Sequence, residues 1–540
     1  MHTITMILVM LLTVTVSGLV ARATRLPLPL VQIALGFALV QITGESVELD
    51  PHLFFLLFLP PLLFLDGWRI PKDELFRDKN MVLELALGLV IFTVLGVGLF
   101  IHWLIPAMPY AVAFALAAIV SPTDPIAVSA IAQRAPIPKR MMHILEGESL
   151  LNDASGLVCM RFAVAAALTG AFSLSDAALN FLWVAFGGLG FGVAVTWIVT
   201  RAKSLVLQRF GEDPGSSILI SVLIPFASYL AAEHFHASGI LAAVAAGISM
   251  TFFESNALMA TTRVQRKAFW DTVQFILNGA IFVLLGEQLP SLFDSAVSAV
   301  ADTGHANPWW LLVYVLAINA ALAAMRFGWV WVSLRISMYR AHRRGEEHPQ
   351  VSKRAVAAMS LAGVRGALTL AGVLTLPLAL DDGSPFPARG LAIFLAAGVI
   401  LMSLLAASIA LPKLLRDLKL PSDEHDHDEG EALEVAAIAA IHAIEDKLHD
   451  LAHDRTDAAL YAEIAAQVME EYRRRLVHSV GSPRALHARH AREIERKLRL
   501  VGLDAERKAY QQLRRESVID DTVLQRLNSE LDLAVARLTA

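Results

Sequence analysis

The sequence predicts an all-α polytopic membrane protein: about 13 transmembrane helices in inverted repeats, with broken, crossed helices at spans 5 and 12, and a C-terminal cytoplasmic helical tail. Three observations lead there. The 540 residues are 56% hydrophobic and only 18% charged, with a mean hydropathy of +0.56; a soluble domain runs nearer ~45–50% apolar and ~25% charged. Long apolar segments recur as far as about residue 415. Lysine and arginine fall almost wholly on alternate loops. This composition excludes a disordered chain, a basic nucleic-acid-binding protein and an ordinary cytosolic enzyme. The net charge of -5 says little about partners, because the charges are unevenly placed. The single cysteine, Cys159, excludes a disulfide framework, a CxxC redox pair and a thiolate zinc site, and its apolar run predicts inert packing.

In chain order the apolar segments are roughly 3–21, 27–43, 52–67, 81–105, 109–133, 142–170, 176–200, 216–235, 237–253, 268–290, 309–334, 355–378 and 390–412. Most fit the roughly 17–25 residues a helix needs to cross the hydrocarbon. Lipid cannot satisfy backbone polar groups, so helices are expected throughout. The first segment lacks a basic start and more spans follow, so it reads as a span rather than a cleaved leader. The third is short and contains Pro60 and Pro61. With the N-terminus outside, the loops assigned to the cytoplasm carry 24 lysines and arginines, among them Arg69, Lys72, Arg77, Lys79, Arg134 and Arg201. The opposite loops carry one, Arg389, beside Glu45, Glu48, Asp50, Asp381 and Asp382. That split is what the positive-inside rule requires, and it predicts a cell-membrane protein with its C-terminus in the cytoplasm.

Three regions follow: a transmembrane domain over 1–415, a linker over 416–430, and a cytoplasmic regulatory tail over 431–540. The linker holds His425-Asp426-His427-Asp428-Glu429, read as solvated rather than metal-binding. Charged Ala/Leu-rich stretches at 431–453, 456–478 and 485–515 have helical spacing, and Gly481-Ser482-Pro483 reads as a turn.

A charge at the centre of a membrane helix costs roughly 2.5–3.5 kcal/mol on insertion scales, so those retained are candidate functional groups. Asp66 ends the third span. Asp124 lies mid-span between Pro122 and Pro125. Each proline removes a backbone donor, and an interrupted helix at membrane depth is tolerated where it lines a cavity. Such breaks point to a transporter's ion site. Span 12 is the counterpart: Gly363, Gly366 and Gly372 loosen it around Arg365. Seven positions separate the two broken spans, as two inverted repeats of six with one linking span require. Glu148, Asn152 and Asp153 lie early in the sixth span. Asn152 and Asp153 point about 100° apart, so both can edge one cavity. A buried glutamate and a buried arginine each need a partner, and Glu148 with Arg365 is the expected structural pair. Arg326 is matched with Glu287, and Arg161 with the cavity.

Thr123-Asp124-Pro125, the block from Glu148 to Asn152-Asp153, and Gly363-Val364-Arg365-Gly366 together resemble the monovalent cation:proton antiporter-1 family, the NhaP-type sodium/proton exchangers. Pro60-Pro61 through Asp66-Gly67 resembles the family's third-span motif, although many members carry glutamate where Asp66 stands. The resemblance covers about residues 5–415. It implies that Asp153 binds the cation or a proton, with Asp124 and the Thr123 oxygen in the site. It also implies that Asn152 marks an electroneutral subgroup, that Glu148 and Arg365 brace the crossed helices, and that Asp66 gates or helps bind the ion. The implied fold is a homodimer whose core bundle, spans four to six and eleven to thirteen, slides against a dimerisation domain.

The chemistry of these groups agrees. A small hard cation wants several oxygen ligands, which carboxylates, a threonine hydroxyl and freed carbonyls supply. Desolvation favours the protonated form of a carboxyl group, so proton and cation compete. The expected partners are sodium (or potassium or lithium), a proton, membrane lipid and a second copy, with no cofactor and no nucleic acid. A potassium/proton exchanger shares this architecture. An intramembrane aspartyl protease would use Asp124 and Asp153 as a dyad, but its Gly-x-Gly-Asp pattern is absent. A channel needs a filter or charged ring, and neither is found.

Overall fold

The computed structural model describes residues 2–44, 51–69, 83–125, 128, 137, 139–169, 174–211, 213–253, 260–302, 307–344, 353–380, 383–416, 425–452, 458–476, 483–516, 518–519 and 521–539. Glu45, Glu48, Asp50, Lys72, Arg77, Lys79, Arg134, Asp381, Asp382, most of 126–136 and the stretch 417–424 lie outside them, as do Gly481 and Ser482. The chain divides into two compact units, Met1–Leu418 and Lys419–Ala540.

The first unit is nearly all helical. Its helices are α1 (His2–Thr24), α2 (Leu28–Thr43), α3 (Pro51–Arg69), α4 (Val90–Leu104), α5 (Tyr110–Val120), α6 (Lys139–Thr169) and α7 (Leu174–Phe210). They continue as α8 (Pro214–His234), α9 (Gly239–Phe253), α10 (Ala260–Asp302), α11 (Trp309–Arg344), α12 (Lys353–Leu361), α13 (Ala367–Leu374) and α14 (Arg389–Leu415). Among the described residues, eight helices are long and apolar enough to cross a bilayer, and α2, α5 and α9 are shorter apolar helices. The side chain of Asp213 caps α8 by accepting from the Ser216 amide at 2.8 Å, and the Ser216 hydroxyl, then that amide, hold its carboxyl below the usual carboxylate range.

Two groups of helices pack within this unit. In one, α4, α6, α13 and α14 surround α5, with α11 packed on α4 and α14, and α12 on α11 and α14. Every residue from Ala115 to Val120 on α5 is buried, which is how a helix apolar on all sides behaves at the centre of a bundle. The other group joins α3, α7, α8 and α9, with α10 packed on α1, α2 and α8. One close seam is α3 on α9: a Cβ at Gly247 would meet the Phe64 carbonyl at 2.1 Å, and one at Gly67 would meet the Val244 carbonyl at 2.5 Å. Small residues admit that approach where lipid gives no hydrophobic drive for helices to associate. Helices α3 and α10 also touch α13 of the first group, so the groups meet where the broken spans lie.

A π-helical turn, Glu84–Leu89, leads into α4. The Ser155 hydroxyl on α6 donates to the Ala86 carbonyl in that turn at 2.7 Å, supplying a partner the widened backbone leaves open. Arg389, the exception to the loop charge asymmetry, donates to the carbonyls of Leu376 and Leu374 at 3.0 and 3.3 Å. It closes the end of α13, where a cation suits the helix dipole.

The second unit contains α15 (His425–Ala452), α16 (Ala458–Leu476), α17 (Pro483–Arg515) and α18 (Asp521–Thr539). Helix α15 packs on α16 and α17 on α18, with Arg507 paired to Asp532. The stretch expected to be a linker is helical from His425, and α18 adds a helix beyond those read from the sequence.

Candidate ion-binding site

Both expected breaks are present. Helix α5 stops at Val120, and Ser121 to Asp124 are not helical. Helix α12 stops at Leu361, and α13 starts at Ala367. The two interruptions satisfy each other. The Asp124 amide donates to the Val364 carbonyl at 2.7 Å, and Arg365 Nε donates to the Val120 carbonyl at 2.9 Å. A cation therefore sits at the carbonyl end of α5. The Asp124 carboxylate sits against Gly366, the N-cap of α13, so closely that a Cβ there would lie 1.7 Å from Oδ2. Each charge occupies the end of the opposing half-helix whose dipole favours it. Arg365 also bonds the Gly363 carbonyl, and its amide donates to Ser403 Oγ on α14 at 3.1 Å.

Glu148 is not the partner of Arg365. Both of its oxygens are held by Arg326 on α11, through Nη1 and through Nη2 at 2.7 Å, with the two side chains 1% and 3% exposed. The expected Glu148–Arg365 pair is thus replaced by Glu148–Arg326, and the Arg326–Glu287 match is replaced as well. A bidentate fork satisfies both oxygens of a carboxylate buried away from solvent. Arg326 Nε continues to the Met359 carbonyl on α12 at 3.3 Å, so one residue ties α6, α11 and α12 together. Arg161 also has a partner, Glu233, at 2.8 Å.

From Glu148 the bonds lead inward. Thr123 Oγ1 lies 3.4 Å from Glu148 Oε1, and Asn152 Nδ2 donates to Thr123 Oγ1 at 3.0 Å. Asn152 is 1% exposed, and its Oδ1 has no hydrogen-bond partner. It braces Thr123 from behind rather than lining the space in front. That space is a cavity of about 30 Å³ bounded by Asp66, Thr123, Asp124, Ser149, Asp153 and Asn278, with apolar and hydroxyl groups completing the wall. It is large enough for a water or a small cation. Asp66 on α3 and Asn278 on α10 come from one helix group, and the remaining four from the other. The cavity therefore straddles the seam between the groups.

A family model described as sodium/hydrogen exchanger, transmembrane, matches residues 8–417. The chain belongs to that family. This exchanger is 40% identical over 543 residues to the uncharacterized Na(+)/H(+) exchanger YjcE of Escherichia coli K12, covering 98% of each chain. It is 38% identical over 538 residues to a Bacillus subtilis protein named sodium, potassium, lithium and rubidium/H(+) antiporter, covering 98% of this chain and 78% of that one. Among solved structures, the sodium proton antiporter MjNhaP1 from Methanocaldococcus jannaschii matches with a TM-score of 0.59 at 18% identity, over 77% of this chain and 99% of that chain, and shows the same fold. The exchanger is a transporter, not an enzyme.

Of the residues expected at the site, Asp66, Thr123, Asp124 and Asp153 border the cavity; Asn152, Glu148 and Arg365 stand behind it. Sequence reasoning missed Ser149 and Asn278. Ser149 lies one helical turn before Asp153, a spacing that shares a face. Asn278 lies in the apolar run 268–290 of the exchanger, which also carries Gln274 and Gln288.

Proposed function

We propose that this chain exchanges one monovalent cation, sodium first, for one proton across the cell membrane, both competing for Asp153. The observation that carries the reading is the small cavity at the crossing of two broken helices, bordered by Asp153 and Asp124. Carboxylates and hydroxyl oxygens there suit a hard cation that has shed water. Glu148 is neutralised by Arg326 and is not available to a second ion. A site that carries either one proton or one monovalent cation keeps the same charge in both directions, so the exchange is electroneutral. The seam location supports alternating access, in which the group holding Asp153 moves against the group holding Asp66 and Asn278. The alternate-loop charge asymmetry supports an N-terminus outside and a C-terminus in the cytoplasm. A homodimer is proposed on the family resemblance.

A second reading, transport of potassium as well, is supported by the Bacillus relative named for four alkali cations. Proton flux in reconstituted vesicles separates these. Addition of sodium, lithium or potassium to an acid-loaded vesicle should drive proton movement, and the order of half-saturating concentrations gives the preferred ion. Absence of flux with all three overturns antiport. Steady transport current under an imposed potential overturns the 1:1 stoichiometry.

A further inference from the structure

A second cavity, of about 340 Å³, opens next to the ion site. Its wall includes Leu157, Met160, Arg161, Tyr229, Glu233 and Thr375. It begins one helical turn past Asp153 along α6, and Arg161 stands eight residues past Asp153, about 12 Å along the helix axis. Leu157 and Ile240, 5% and 2% exposed, also line it, one from each helix group. Walled by both helix groups and one turn along α6 from Asp153, the larger cavity is a vestibule beside the site.

Arg161 on α6 and Glu233 on α8 belong to opposite helix groups and are joined across this vestibule at 2.8 Å. The same Glu233 oxygen accepts the Gly239 amide at 3.2 Å, which fixes the carboxylate to the α8–α9 corner. The guanidinium is thus the movable partner. Leu157 lies one turn before Arg161 on α6, so a shift of α6 against α8 moves this stretch of the wall and pulls Arg161 from Glu233. We propose that the Arg161–Glu233 pair is the latch of this vestibule: made, it holds the two helix groups together with the site shut at this end; broken, it admits the ion. The proposal rests on the alternating access argued above. The remaining polar groups of the vestibule, the Tyr229 and Thr375 hydroxyls, carry no charge that would replace Arg161.

The test reads opening without transport. In a Cys159→Ala background, Thr375→Cys places a thiol on the vestibule wall, and a membrane-impermeant thiol reagent is applied to each face in turn. Arg161→Met removes the charge and keeps the stem; Glu233→Gln keeps an acceptor for the Gly239 amide and removes the ion pair. Each should speed labelling from one face by about two- to fivefold, the size a half-exposed pair supports, whereas Arg161→Lys should stay near the starting rate. Unchanged labelling in both neutral variants, or Arg161→Lys labelling as fast as Arg161→Met, overturns the latch. A reversible bifunctional thiol reagent joining cysteines at positions 161 and 233 supplies a second readout. Proton flux should stop on joining and return on reduction; flux that continues through the joined state overturns the latch. Absence of flux in the unmodified protein would instead count against antiport and leave the labelling result standing.

Discussion

Asp153 and Glu148 stand five residues apart on α6 and are treated in opposite ways. Glu148 is gripped by both ends of a guanidinium, and Asp153 is left facing an ion-sized space. Two expectations follow from this contrast. Asp153→Asn keeps shape and loses the exchangeable charge, so cation-driven proton flux should vanish while the purified protein still elutes as a single species. Retained flux removes Asp153 from the mechanism. Glu148→Gln leaves Arg326 charged, buried and without its counter-ion, a change that costs about 3–5 kcal/mol in comparable buried pairs. Thermal unfolding in detergent should record that loss. The double change Glu148→Gln with Arg326→Met should recover much of it, whereas pairing Glu148→Gln with a change at Arg365 should not. Gly366→Ala forces a methyl group into the Asp124 carboxylate. Its expected outcome is a loss of flux at least as large as that of a conservative change at Asp124, measured in the same vesicles.

At the scale of elements, the interruptions in α5 and in the α12–α13 segment were legible from the chain because proline and glycine weaken a helix locally, and Pro122 with Pro125, and Gly363 with Gly366, cluster around a charged residue. The spans were legible because lipid imposes a length. The partner of Glu148 was not. Arg326 and Arg365 are both intramembrane arginines on helices that follow, and helical periodicity says nothing about which of two distant helices lies nearer. The choice is made by packing: Arg365 is already committed to the carbonyls of Val120 and Gly363, which leaves Arg326 for the acid. Asn278 was hidden for a related reason, since one carboxamide among three in an apolar run gives no sign of the cavity opposite it. The α3–α9 seam is equally invisible to periodicity, yet its backbones are too close for any side chain at Gly247. Gly247→Ala should therefore destabilise by about 1–3 kcal/mol through overpacking. A melting temperature equal to that of the unmodified protein would show that the seam can relax.

At the scale of the molecule, the bonds that form the site run from Asp66 on α3 to Ser403 on α14 and stay within Met1–Leu418. A chain ended at Leu418 should accordingly insert and exchange, with the tail's contribution read as a displaced pH profile of flux. A monodisperse truncated protein with no flux at any pH would give the tail an obligatory part in transport instead.

The bond from Arg365 to Val120 also spans 245 positions of the chain. A nascent protein threading into the bilayer from its first residue reaches Val120 and Asp124 long before Val364 and Arg365 exist. Throughout that interval a carbonyl and an amide stand open at mid-membrane with their eventual mates still unsynthesised, a condition hydrocarbon penalises. Biogenesis must shelter that wound until the twelfth span arrives to stitch it. Ribosome-stalled intermediates ending before residue 364 should therefore stay bound to insertion machinery, and those extending past it should be released.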